Sequence, residues 1–159
     1  MDEDKAYQEE FSDAMNIAIR LLSMRNHTKY EIRQKLKRRG VTAENILRVL
    51  SECERLRYVD DEKTAQFYLK ELGAKGYGKH RIRFAMKEKG LADALTEKLL
   101  SEEHSDADEM ENARRLFQRR IARFNREKDA GKRREKIYRF LSYRGFSRSV
   151  ISRLIREEE

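Results

Sequence analysis

Apolar positions recur every three or four residues along this chain, in short stretches divided by polar turns. Ala14, Ile17, Ala18, Leu21 and Leu22 form one stripe, Ile32 and Leu36 a second, and Ile46, Val49 and Leu50 a third. Such spacing places side chains on one face of an α-helix. The order then returns twice. Ala65, Tyr68, Leu69 and Leu72 are followed by Ile82 and Met86, then by Leu99 and Leu100. Ala113, Leu116, Phe117, Ile121 and Phe124 are followed by Ile137 and Leu141, then by Val150, Ile151, Leu154 and Ile155.

The middle helix of each set carries the clearest signature. "YEIRQKLKRRGV", "HRIRFAMKEKGL" and "EKIYRFLSYRGF" align without a gap on Gly40, Gly90 and Gly145, which lie 50 and 55 residues apart. A glycine after the last helical turn is the usual left-handed stop, and an apolar residue follows it in all three copies. Thr42 and Ser147 then stand where a hydroxyl can cap the next helix; Ala92 holds that place in the second copy. Thr28 and Glu31 have the spacing of a capping box. Asp60 or Asp61 suits the start of the fourth helix, with Tyr58 and Val59 stapled behind it. "SEEHSDADEM" reads as the second junction and "KDAGKR" as a turn inside the third unit. The expected fold is all-α: tandem three-helix repeats, three units and about nine helices, over residues 1–59, 60–105 and 106–159 of one continuous array.

Composition supports small units over one deep core. Hydrophobic residues make up 38% and charged residues 42% of the chain, and proline is absent. Cys53 is the only cysteine, which excludes an intrachain disulfide and a cysteine metal cage; a half-buried structural thiol is expected. The acidic start "MDEDKAYQEEF" is unlike a signal peptide, and the longest apolar run is too short for a membrane span. A reducing cytoplasm and no membrane partner are therefore expected.

Charge adds direction. The chain carries +8 overall, and residues 106–159 hold 16 Lys+Arg against 10 Asp+Glu. A polyanion or an acidic protein surface is the natural counterpart. Candidate contact residues are Arg33, Lys37 and Arg38 in the first unit, and Lys79, Arg81, Arg83 and Lys87 in the second. The third supplies Arg115, Arg119, Arg120, Arg123, Arg126, Lys132, Arg133, Arg134 and Arg139. Between Arg114 and Arg139 the only acids are Glu127, Asp129 and Glu135, so this stretch is the strongest candidate surface. Phe117, Phe124, Tyr138 and Phe140 fall at helical spacings and are expected in the core.

Catalytic and cofactor signals are weak. "GAKGYGKH" nearly spells a phosphate loop, but His80 stands where Ser or Thr must hold magnesium, and a helix precedes it where a strand is required. "EEHSDAD" offers Glu102, Glu103, His104, Asp106 and Asp108 to a cation; a solvated linker with an Asp cap accounts for it better. His27 and His80 lack partners at useful spacing. No nucleophile–base pair can be assembled, so no catalytic residue, metal or cofactor is expected.

"RYVDDEKTAQFYLKELGAKGYGKHRIRFAMKEKGL", Arg57 to Leu91, resembles the central signature of the RecX family of RecA regulators. "AIRLLSMRNHTKYEIRQKLKRRGV" and "KIYRFLSYRGFSRSVISRLI" are similar to the repeats on either side. The likeness runs from about Ala14 to Ile155; its most specific parts are Tyr58–Asp61, Gly76–Gly78 with Arg81 and Ile82, and Lys89–Gly90. Arg57 stands where the family often has glycine. The resemblance implies an elongated, curved array and no catalytic site. It also implies that the partner is a RecA filament on single-stranded DNA, whose recombinase, ATPase and coprotease activities are inhibited by groove occupation or by blocked extension. A monomer is expected, and direct contact with single-stranded DNA is left open. The rival reading is a generic basic helical protein that binds nucleic acid without a specific protein partner, as helix–turn–helix units with basic second helices would.

Overall fold

The computed structural model describes residues 1–159, in nine α-helices and no strands. These are α1 (Asp2–Met24), α2 (Lys29–Arg38), α3 (Ala43–Arg55), α4 (Asp61–Ala74), α5 (Lys79–Glu88), α6 (Asp93–Glu103), α7 (Asp106–Phe124), α8 (Ala130–Tyr143) and α9 (Arg148–Glu157). The three-helix order repeats three times.

Caps set the boundaries. The Thr28 hydroxyl accepts from the Glu31 N–H while the Glu31 carboxylate accepts from the Thr28 N–H, so α2 opens with a full capping box. Thr42, Ser147 and Asp129 cap α3, α9 and α8 with their side chains. Asp60, one residue before α4, accepts from Lys63 N–H at 3.1 Å. Asp61 instead reaches back to accept from the Lys29 N–H at 2.9 Å, at the start of α2. Gly40, Gly90 and Gly145 have φ of 79°, 69° and 92°, the left-handed conformation that ends α2, α5 and α8. Arg57 adopts φ 58°, the sole non-glycine at positive φ.

The helices gather into two compact bodies. One comprises Met1–Ala65 with Glu88–Leu91, and the other Gln66–Lys87 with Ala92–Glu159. In the first, α1, α2 and α3 enclose Ala14, Ala18, Ile32, Leu36, Ile46, Val49, Leu50, Cys53 and Val59. Val59 is buried as a staple would be, whereas Tyr58 is exposed. The first helix is longer than its apolar stripe. Its acidic start is helical too, and Glu10 accepts from the Thr42 hydroxyl and from the buried Asn45 amide, each at 2.5 Å. In the second body, α7, α8 and α9 enclose Met110, Ala113, Leu116, Phe117, Phe124, Ile137, Leu141, Phe146, Ile151 and Leu154.

The "EEHSDAD" junction differs from a solvated linker. His104 and Glu109 are buried, and the cap on α7 is Ser105, in a box with Asp108. Burial lowers the His104 pKa, which disfavours the charged ring.

Candidate functional site

The basic third unit presents a groove. Arg120, Arg123 and Phe124 share one face of α7; Lys136, Arg139, Phe140 and Tyr143 share one face of α8. Together they line an open depression of ≈ 510 Å³. Its floor is aromatic. Phe124 stacks on Phe117 with ring centres 5.7 Å apart and meets Phe140 at 5.8 Å. Arg120 lies over the Phe140 ring at 4.7 Å, a cation–π contact that holds the guanidinium at the rim. Tyr143 is 74% exposed at the groove edge.

The cations of the third unit differ in freedom, and of those expected from the sequence only Arg120, Arg123 and Arg139 line the groove. Arg123 makes no ion pair, and neither do Arg115, Arg119, Arg126 and Lys132, all exposed. Lys136 pairs with Glu127 at 2.7 Å and Arg139 with Glu135 at 2.5 Å. The Arg139 pair is exposed on both sides and Lys136 is more than half exposed, so a phosphate or carboxylate can replace their partners at little cost. Arg134 is tied to Glu159. Arg133 lines a separate cavity of ≈ 210 Å³ with Ile137, Leu154 and Glu158.

The second unit's cations are mostly engaged in structure. Lys79 pairs with Asp106 at 2.5 Å, with its side chain 16% exposed, and its N–H donates to the buried Glu109. Arg83 makes a fork with Glu97 at 2.6 and 3.3 Å, which holds the Glu97 carboxyl below its ordinary value. The Arg81 guanidinium sits over Tyr77 at 4.5 Å and Tyr143 at 5.4 Å. Lys87 is exposed and unpaired, as are Arg33, Lys37 and Arg38 on α2.

Sequence reasoning missed Lys136 and Tyr143 as groove residues. The signal was present, because Lys136, Arg139, Phe140 and Tyr143 follow i, i+3, i+4 and i+7. Two aromatic expectations change: Tyr138 is 39% exposed, and Phe140 forms groove floor although it packs against the core. The near-phosphate-loop is a turn between α4 and α5, where Gly78 packs against the backbone of Gly145 with no room for a Cβ. No group of three His, Cys, Asp or Glu residues is placed to hold a metal, and no helix is long and apolar enough to cross a membrane.

Residues 14–53 match the first three-helix domain of RecX, and residues 107–155 match the third. The regulatory protein RecX of Legionella pneumophila is 34% identical over 146 residues, covering 91% of this chain and 93% of its own. That of Vibrio vulnificus is 32% identical over 141 residues, covering 89% and 90%. The crystal structure of RecX from Lactobacillus salivarius shares the fold at a TM-score of 0.84, with 22% identity over 94% of this chain and 97% of that one. The chain belongs to the RecX family of regulatory proteins.

Proposed function

We propose that this chain binds the RecA filament on single-stranded DNA and inhibits its recombinase, ATPase and coprotease activities. It acts by occupancy, lying in the filament groove or blocking extension at an end. Family membership supports the choice of partner. The observation that carries the contact surface is the α7–α8 groove, where Arg120, Arg123, Lys136 and Arg139 surround exposed aromatic surface. Arginine suits planar, bidentate contacts with phosphate or carboxylate, so the rim fits a DNA backbone or an acidic filament surface. Several weak contacts along one chain add through effective concentration, which gives three repeats a use on a periodic filament. The chain works as a monomer, and α7 with α8 supplies the main contact.

The test follows steady-state ATP hydrolysis by preformed filaments as the chain is added. Hydrolysis falls in proportion to filament sites filled, and the Arg120→Glu/Arg123→Glu variant inhibits at least about tenfold less well per mole. Undiminished hydrolysis at saturating wild-type chain counts against the reading.

One observation favours a second reading. An aromatic floor under cations also suits bases and phosphates of free single-stranded nucleic acid, in which case no specific protein partner is required. Equal affinity for bare strand and filament, falling steeply with salt, would mark it.

A further inference from the structure

The chain makes one turn three times: a cation, a left-handed glycine, then an apolar residue. The copies are Arg39–Gly40–Val41, Lys89–Gly90–Leu91 and Arg144–Gly145–Phe146. Two of them are covered by the start of another helix. Over Gly90, the Thr28 hydroxyl donates to the Lys89 carbonyl at 2.7 Å, and Glu31 holds the Lys89 ammonium at 2.7 Å. The Tyr30 ring lies so close to Gly90 that a Cβ would overlap it. Over Gly145, the N–H groups of Gly78 and His80 donate to the carbonyls of Arg144 and Gly145 at 2.9 and 3.0 Å. Arg81 fills the space above that glycine, and the Arg144 guanidinium rests on the Tyr77 ring at 4.8 Å.

The chemistry of the joint is the same both times. A helix end exposes carbonyls, and a helix start brings the donors that satisfy them. The glycine permits backbone approach, and the preceding cation is held by a carboxylate or an aromatic face. The remaining copy of the turn, the first in the chain, lacks all of this. Gly40 has the same conformation, at φ 79°, yet no atom lies within 4 Å of where its Cβ would stand. Arg39 is exposed without an ion pair, and so are its neighbours Lys37 and Arg38.

We infer that the Arg39–Gly40 turn is an open copy of this joint and docks the first turn of a helix on a partner protein. That helix start carries an N–H or hydroxyl donor at its cap and a carboxylate within its first turn, as Thr28 and Glu31 do for Lys89. A second copy of this chain offers no matching start: at the capping box of α7, Ser105 already donates its hydroxyl to Asp108 at 2.6 Å. Its α2 and α5 starts are already filled, and the position in the third unit that matches them is closed. There α8 begins at Ala130, so the Arg133 N–H already donates to the Asp129 carbonyl at 2.9 Å. Lys136, which aligns with Glu31, would repel Arg39. Phosphate fits poorly as well, because a phosphodiester carries no N–H or hydroxyl donor for the carbonyls at this helix end.

This rests on the proposed reading only for the filament used as one of two probes. The first probe is independent of it: a helix-stabilised peptide of residues 26–38, carrying the Thr28–Glu31 cap. Titrated at millimolar concentration into the full chain and followed by amide NMR, it shifts Arg39, Gly40 and Val41. Arg39→Glu in the chain, or Glu31→Gln in the peptide, abolishes those shifts. A peptide that leaves Gly40 unmoved overturns the inference, whatever the filament does. The second probe is co-sedimentation with RecA filaments on single-stranded DNA. Arg39→Glu weakens it about tenfold while changing affinity for bare DNA less than about twofold. Equal losses on both would assign Arg39 to phosphate and overturn the protein-docking role. Self-association of the wild-type chain that Arg39→Glu abolishes would overturn the choice of occupant.

Discussion

Glu31 and Lys89, 58 residues apart in the chain, meet at 2.7 Å. The Glu31 carboxylate also accepts from Arg25 at 3.1 Å and from the Thr28 N–H at 3.0 Å. Burial alone would raise its pKa, but these donors outweigh burial and hold it at about 2, against an ordinary 4.5. A carboxylate with a depressed folded-state pKa stabilises the fold above its unfolded value and loses that contribution as pH falls through the folded value. Stability should therefore drop between pH 4.5 and about 2, by up to ~3 kcal/mol from this group. Denaturant melts across that range should show the loss in wild type and little of it in Glu31→Gln, which is already destabilised at pH 7. Parallel pH curves for the two proteins would remove Glu31 from the account.

Arg57 adopts φ 58° without the freedom of glycine. A left-handed residue with a Cβ costs roughly 1 kcal/mol, partly offset in a glycine variant by greater unfolded-chain entropy. Arg57→Gly should therefore raise stability by about 0.5 kcal/mol, read as a slightly higher denaturation midpoint with the slope unchanged. A lowered midpoint would mean that the arginine side chain contributes more than its backbone costs.

Gly40 and Gly90 separate two effects of the same turn. Alanine at Gly40 meets open space and suffers only the conformational penalty, about 1 kcal/mol. Alanine at Gly90 meets the Tyr30 ring as well and should cost at least about 2 kcal/mol. Equal losses at the two positions in thermal melts would show that the Tyr30 contact carries no energy.

Cys53 is fully buried, and burial pushes its thiol pKa up. A thiol-specific chromogenic reagent should label it only through unfolding, at least about a hundredfold more slowly in native buffer than in denaturant. Fast native labelling would require an opening of the first three helices.

Much of the fold was legible because its signals are local. Thr28 with Glu31, Thr42, Ser147 and the three turn glycines act within four residues of themselves, and each does what its position predicts. The start of α1 was not legible. Its residues gain their helical role from Glu10 reaching Thr42 and Asn45 and from Arg48 lying over Tyr7 and Phe11, which are tertiary contacts. The candidate surface was legible as a charge excess but not as a shape. Lys79 and Arg83 look no different in sequence from Arg119 and Arg123, yet Asp106 and Glu97 engage the first pair while the second stays free. Tyr143 and Lys136 became groove residues only once α7 and α8 were placed side by side.

Arg83→Ala should lower stability by less than about 1 kcal/mol and leave filament affinity within about twofold, because its guanidinium is already paired at a partly exposed site. Arg119→Glu should leave stability unchanged and weaken binding several-fold. The reverse order of effects would move the interface from α7 to α5.

The most direct measurement is fluorescence anisotropy of the labelled chain with RecA filaments preformed on single-stranded DNA, and with the same DNA alone, at two salt concentrations. If the α7–α8 groove binds the filament, the chain prefers the filament strongly and the preference survives moderate salt; Arg120→Glu/Arg123→Glu loses it with helical circular dichroism intact. Equal affinity for bare DNA, collapsing as salt rises, would contradict this.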